Sequence, residues 1–171
     1  MLDGWHEFYA LLGTAAAALV ALLFVAVSLA IGFLSTERQS PTRTFTSPVL
    51  AHYTYILFAS LVVLAPIDNS WLAAIIGLSA AAAVGYSAHI CLRVLRSNIT
   101  DADDRFAYGA GPLLAYGAVF ASAFFIAAHW RVGPPLLAAG LVLLLLVNIR
   151  NAWDLTVFFV QRRTDGKGPD D

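Results

Sequence analysis

Charge is scarce in this chain: only 12% of its 171 residues are Asp, Glu, Lys or Arg, and the formal net charge is −1. Without a basic excess there is no field to gather nucleic acid, and no acidic run is long enough to act as a tail. No nucleic-acid partner is expected. The single cysteine, Cys91, cannot form an internal disulfide and sits in an apolar stretch, where a lone thiol reads as a small buried hydrophobe. A Cys-x-x-Cys-His haem motif is missing, as is the twelve-residue spacing of a calcium loop. Polar segments are too short to hold a water-soluble catalytic domain. The chain is therefore not expected to be an enzyme, and no cofactor or metal is expected.

Apolar residues are what it has, at 60% of the chain with a mean hydropathy of +0.75. Such a composition points to lipid as the solvent. A helix rises about 1.5 Å per residue, so roughly 20 apolar residues cross a hydrocarbon core. Five stretches satisfy this: residues 8–34, 49–67, 71–92, 106–128, and a fifth that starts at Gly133 or Pro134 and runs to about 160. The first is longer than a signal-peptide core and follows Asp3 and Glu7 instead of a basic segment, so it is expected to stay in the mature protein. Short turns, at Asp68-Asn69-Ser70 and at His129 to Pro135, join the second stretch to the third and the fourth to the fifth. Thr100 with Asp103 forms a capping-box pattern ahead of the fourth.

Orientation follows from Lys and Arg. Arg38, Arg43, Arg93, Arg96, Arg105, Arg162, Arg163 and Lys167 fall on one side of such a five-span chain, and Arg131 alone on the other. The positive-inside rule then puts the N-terminus outside and the C-terminus in the cytoplasm. Trp5, Trp71 and Trp130 fall at the outer boundary and Trp153 toward the inner one, as interfacial indoles should. The expected fold class is all-α: an integral membrane bundle of five transmembrane helices, forming one domain over residues 1–164 with a disordered tail at 165–171. Its first partner is the lipid bilayer. Small residues at four-residue spacing, Gly13-Ala17-Ala21, Gly77-Ala81-Gly85 and Gly117-Ala121, let helices approach. They serve equally to pack one subunit, to build a homo-oligomer, or to meet another membrane protein.

Polar side chains collect in the half near the basic joints: His52 and Tyr55, Tyr86 and His89, Tyr108, and on the fifth helix Asn148, Arg150, Asn151 and Asp154. The last four share an arc of about 160° at 100° per residue. Ionisable groups at this depth are costly and normally face a bundle interior or wet cavity. The pattern points to an ion or polar site, and from it to transport of an ion or small solute. A second account has Arg150 snorkelling to the interface while residues 155–160 lie along the membrane surface. The histidines are open to three readings: proton relay, metal or haem ligand, or hydrogen-bond partner of the nearby tyrosines. Pro112 withholds the hydrogen bond that the Tyr108 carbonyl would accept in an α-helix, as in the interrupted helices of transporters. Gly77-Leu78-Ser79 faintly matches a hydrolase turn, but Ser79 is about 15 Å along the helix from His89 and makes no catalytic pair. Asp101, Asp103 and Asp104 read as helix-start carboxylates rather than a cation site.

Two segments, Trp5-His6-Glu7-Phe8-Tyr9 and Ile149-Arg150-Asn151-Ala152-Trp153-Asp154-Leu155, resemble a group of small uncharacterised bacterial multi-pass membrane proteins. Some of its members are labelled modulators of an FtsH-type protease. The resemblance implies a bacterial inner (plasma) membrane and weight on the segment from Arg150 to Asp154. It brings no catalytic residues. The alternative to transport is a non-catalytic adaptor or modulator, whose small-residue stripes and basic tail dock on a larger membrane complex while the polar cluster fixes helix register.

Overall fold

The computed structural model describes residues 3–31, 39–96 and 106–165. Among them all regular structure is helical, with no strand. A 3-10 turn at Asp3–Trp5 leads into α1 (His6–Ile31), followed by α2 (Gln39–Leu64) and α3 (Asn69–Arg96). A π-helical turn at Phe106–Ala110 then opens α4 (Gly111–Ala127), and α5 (Gly133–Asp165) follows. By length and composition four segments can cross a membrane: His6–Ser28, Asn69–Leu92, Phe106–Ala127 and Gly133–Asp154; α2 carries the shorter apolar helix Pro48–Leu64. Large apolar side chains cover the perimeter, with Leu11, Leu22, Phe24, Leu78, Leu114 and Phe124 all exposed. A surface of this kind suits lipid and not water.

Two elements depart from the sequence reading. The joint expected up to residue 47 is largely helical, because α2 starts at Gln39. Pro41 falls in its first turn, where a missing N–H costs nothing, and Pro48 is carried inside the helix. The fifth helix does not break at the interface to lie along the surface. It continues unbroken for 33 residues, about 50 Å, so it outruns a hydrocarbon core of about 30 Å. Thr100, Asp103 and residues 166–171 lie outside the described residues.

In space the order is α1–α2–α5–α4–α3: α1 packs on α2, α2 on α5, α5 on α4, and α4 on α3. Although a short turn joins them, α2 and α3 touch only lightly. At that turn the Asp68 carbonyl accepts the Leu72 N–H at 2.9 Å and starts α3. The α4–α5 turn is a Schellman motif. His129 N–H bonds the Ile126 carbonyl at 3.0 Å and Trp130 N–H the Phe125 carbonyl at 2.9 Å, with His129 at φ 57° in the left-handed position. Phe125 and Trp130 stack with centroids 5.5 Å apart, the apolar contact that goes with this cap.

The hairpin ends carrying the N-terminus, the α2–α3 turn and the α4–α5 turn share one face of the bundle. The buried Tyr9 hydroxyl ties the start of α1 to the α4–α5 turn by donating to the Pro134 carbonyl at 2.9 Å, and the end of α2 comes to the same half where Gly13 faces Ser60. Near this face the helices touch through glycine. A Cβ on Gly13 would lie 3.0 Å from Ser60 Cβ, and one on Gly140 would lie 2.9 Å from Val119 Cγ2 and 3.0 Å from the Ala115 carbonyl. Gly77 meets Ala123 at 3.3 Å. Of the small-residue stripes, therefore, Gly13 and Gly77 lie in seams, whereas Gly85 and Gly117 have nothing within 4 Å.

Candidate functional site

The opposite half of the bundle is joined by side-chain hydrogen bonds. On α2, Val49, His52 and Tyr55 follow at three-residue steps, each about 4.5 Å further along the axis. All three levels are tied to other helices. The Val49 carbonyl accepts Asn148 Nδ2 of α5 at 2.8 Å, His52 Nδ1 and the Tyr116 hydroxyl of α4 share a hydrogen bond of 2.8 Å, and the Tyr55 and Ser79 hydroxyls of α2 and α3 lie 3.4 Å apart. Tyr116 links two of these levels, standing edge-on to Tyr55 at 4.9 Å between centroids and tilted against His52 at 5.5 Å. These rings fill the space where α2 stands off from α3 and α4.

One further rung sits below, at the start of α4, and Pro112 explains it. The π register pairs residue i with i+5, which would match the Ala107 carbonyl with residue 112. Proline has no N–H to offer. Asn151 Nδ2 supplies the missing donor at 3.0 Å. The Ala107 carbonyl, which the π register would pair with residue 112, thus takes a side-chain donor in place of the N–H that Pro112 lacks. Gly111 is required at the same turn, because a Cβ there would lie 2.9 Å from the Phe106 carbonyl and 3.1 Å from Val147 Cγ2.

From Asn151 to Ser79 these rungs span about 14 Å along the axis, somewhat under half a hydrocarbon core. Beyond Tyr55 and Ser79 the buried side chains are mostly apolar, among them Ile56, Val63, Leu72, Ile76, Ile126 and Leu137, with Ser60 and Ser122 as buried hydroxyls. Ser122 donates within its own helix to the Val119 carbonyl at 2.6 Å, so the helix-to-helix rungs themselves lie in one half.

Each residue expected in the cluster can now be placed. His52, Asn148 and Asn151 are buried; Tyr55, Tyr108 and Asp154 are half-buried; Tyr86, His89 and Arg150 are exposed. His52 and His89 do not converge. Arg150 lies two residues beyond Asn148, about 200° round the helix, so a stripe buried at Asn148 and Asn151 turns Arg150 outward. The sequence reading missed Tyr116 and set Ser79 aside as a false hydrolase turn, yet these two complete two of the rungs. A lone hydroxyl in an apolar helix carries no periodic signal; only the placement of Tyr116 one turn after Pro112 hinted at it.

Four buried atoms have no hydrogen-bond partner among the described residues: Asn148 Oδ1, Asn151 Oδ1, Tyr53 Oη and Ser60 Oγ. An unsatisfied buried acceptor costs about 1–3 kcal/mol. The two amide oxygens are three residues apart on α5, which places them on neighbouring turns of one face. Among the described residues no group of three His, Cys, Asp or Glu could hold a metal ion. Comparison with protein-family models, curated proteins and solved structures finds no match.

Proposed function

We propose that this is a five-crossing membrane protein that binds and passes a small ion or solute through the polar half of its bundle. α2 counts as a crossing because it packs between α1 and α5 and joins α3 through a short turn, even though its apolar part is the shortest. An odd number of crossings and the charge bias support an N-terminus outside and a C-terminus in the cytoplasm, and the family resemblance supports a bacterial inner membrane. The observation that carries the transport reading is the pair of buried, unpartnered amide oxygens of Asn148 and Asn151 beside the hydrogen-bonded rungs. Each such acceptor costs about 1–3 kcal/mol if it stays unpaired, which a bound ion or solute would recover. Purified protein in liposomes is expected to move protons or alkali cations above the rate of empty liposomes, with Tyr116→Phe slowing the flux several-fold. Flux equal to that of empty liposomes for all of these ions defeats the proposal.

A second reading, a non-catalytic adaptor or modulator on a larger membrane complex, is favoured by a different surface. On α3, Ala81, Ala82, Gly85, Tyr86 and His89 are all exposed within a candidate span, and polar groups facing lipid are costly. The resemblance to proteins labelled as protease modulators points the same way. A photoreactive residue at position 89 should give one discrete adduct in intact membranes, and one at Leu11 none. Equal labelling from both sites counts against docking.

A further inference from the structure

We infer that the two free amide oxygens form a site for a monovalent alkali cation, with Asn148 and Asn151 of α5 as ligands. This rests on the transport reading of the polar half and names what that half would take. The orientation of each amide is settled by its neighbour: Nδ2 donates to a carbonyl, Val49 for Asn148 and Ala107 for Asn151, and an amide oxygen in that place would face another oxygen. Each Oδ1 therefore points elsewhere, fully buried and without a partner. Three residues apart on one helix face, the two present lone pairs on adjacent turns. An anion would meet only negative partial charge from these oxygens.

A cation would meet ligands of the right kind. Neutral amide and carbonyl oxygens replace the hydration shell of alkali ions in selectivity filters, whereas calcium and magnesium are usually bound through carboxylates. Among the described residues, α5 brings one carboxylate to this end of the site. Asp154 follows Asn151 by one helical turn, is half-buried, and sits on the side of the site away from the apolar half. It supplies attraction at the entrance without adding the charge a divalent ion calls for. The basic group of the same segment, Arg150, is turned outward.

The test uses the full-length protein in detergent. Its thermal unfolding is followed by tryptophan fluorescence in rising NaCl or KCl, with choline chloride holding total chloride constant. Sodium or potassium should raise Tm along a saturating curve, since a ligand that binds only the folded state stabilises it by mass action. Asn148→Leu and Asn151→Leu should each abolish the rise. If the leucine variants fail to fold, the wild type still decides: bound ligand oxygens must give different midpoints for lithium, sodium, potassium and caesium at equal chloride, and one common midpoint for all four overturns the site. A flat Tm in the wild type, a rise that choline reproduces, or a rise unchanged in the variants overturns the site. Saturable binding without flux in liposomes would leave the site standing and remove the transport reading. Flux without any cation-dependent Tm would do the reverse.

Discussion

The half of the bundle that holds the N-terminus and the two tight turns coheres through closeness, and the other half through hydrogen bonds. In the first, Gly13, Gly77 and Gly140 bring α1 to α2, α3 to α4 and α5 to α4 with almost no room for a methyl group. In the second, His52, Tyr55, Asn148 and Asn151 reach across wider gaps. On α1, Ala21, Leu22, Phe24, Val25, Ala26 and Ser28 are exposed there, while Leu23 and Val27 are half-buried. Lipid supplies no hydrophobic force between helices, so van der Waals contact and interhelical polar bonds are the two available adhesives. This chain uses one in each half. The difference teaches where change is cheap: a glycine seam resists any enlargement, while a bridged gap can open by breaking bonds worth about 0.6–2 kcal/mol each.

The largest expected effect tests the close half. Gly140→Leu would force a side chain into the Val119 side chain and the Ala115 carbonyl, and overpacking of this kind costs about 1–3 kcal/mol or more. Equilibrium unfolding in mixed micelles should show a loss at the top of that range. A neutral result would mean that this seam is not tight. Next comes the bridged half. Asn151→Leu deprives the Ala107 carbonyl of its donor and should cost about 1–2 kcal/mol. Pro112→Ala restores an N–H at position 112, so the double variant should recover about 1 kcal/mol relative to the sum of the single changes. Strict additivity would separate the proline from the amide and undo the account of the π turn. The smallest effect is the control. Gly85→Ala, with nothing within 4 Å, should alter stability by less than about 0.5 kcal/mol, and a large loss there would show that the outer face of α3 is covered by something in the membrane.

Much of the architecture was legible in the chain, because a run of apolar residues long enough to cross a bilayer has few alternatives to a helix. Helix limits were harder. Residues 39–47 hold Pro41, Thr42, Thr44 and Thr46, which look like a connector, yet they continue α2. Periodicity placed Asn148, Arg150, Asn151 and Asp154 on one arc but could not say where along that arc the neighbours lie. The answer came from α2 and α4, whose carbonyls at Val49 and Ala107 sit opposite the two asparagines. Gly140 escaped notice for a related reason, since a single glycine in a leucine-rich run forms no stripe, and its partner carbonyl at Ala115 is visible only once the helices are placed.

The order of the helices in space has a consequence for how the chain is assembled. α2 is made early and packs beside α1, but its inward face waits for α5, as the sequence separation of 99 between Val49 and Asn148 records. Until then the α2 segment has a polar edge, with His52 on it, in a bilayer that offers no substitute donor. Biosynthesis must hold that edge open through the insertion of two further helices. The ribosome delivers Asn148 and Asn151 only when α1 to α4 have already been made, so closure of the polar interior waits for α5.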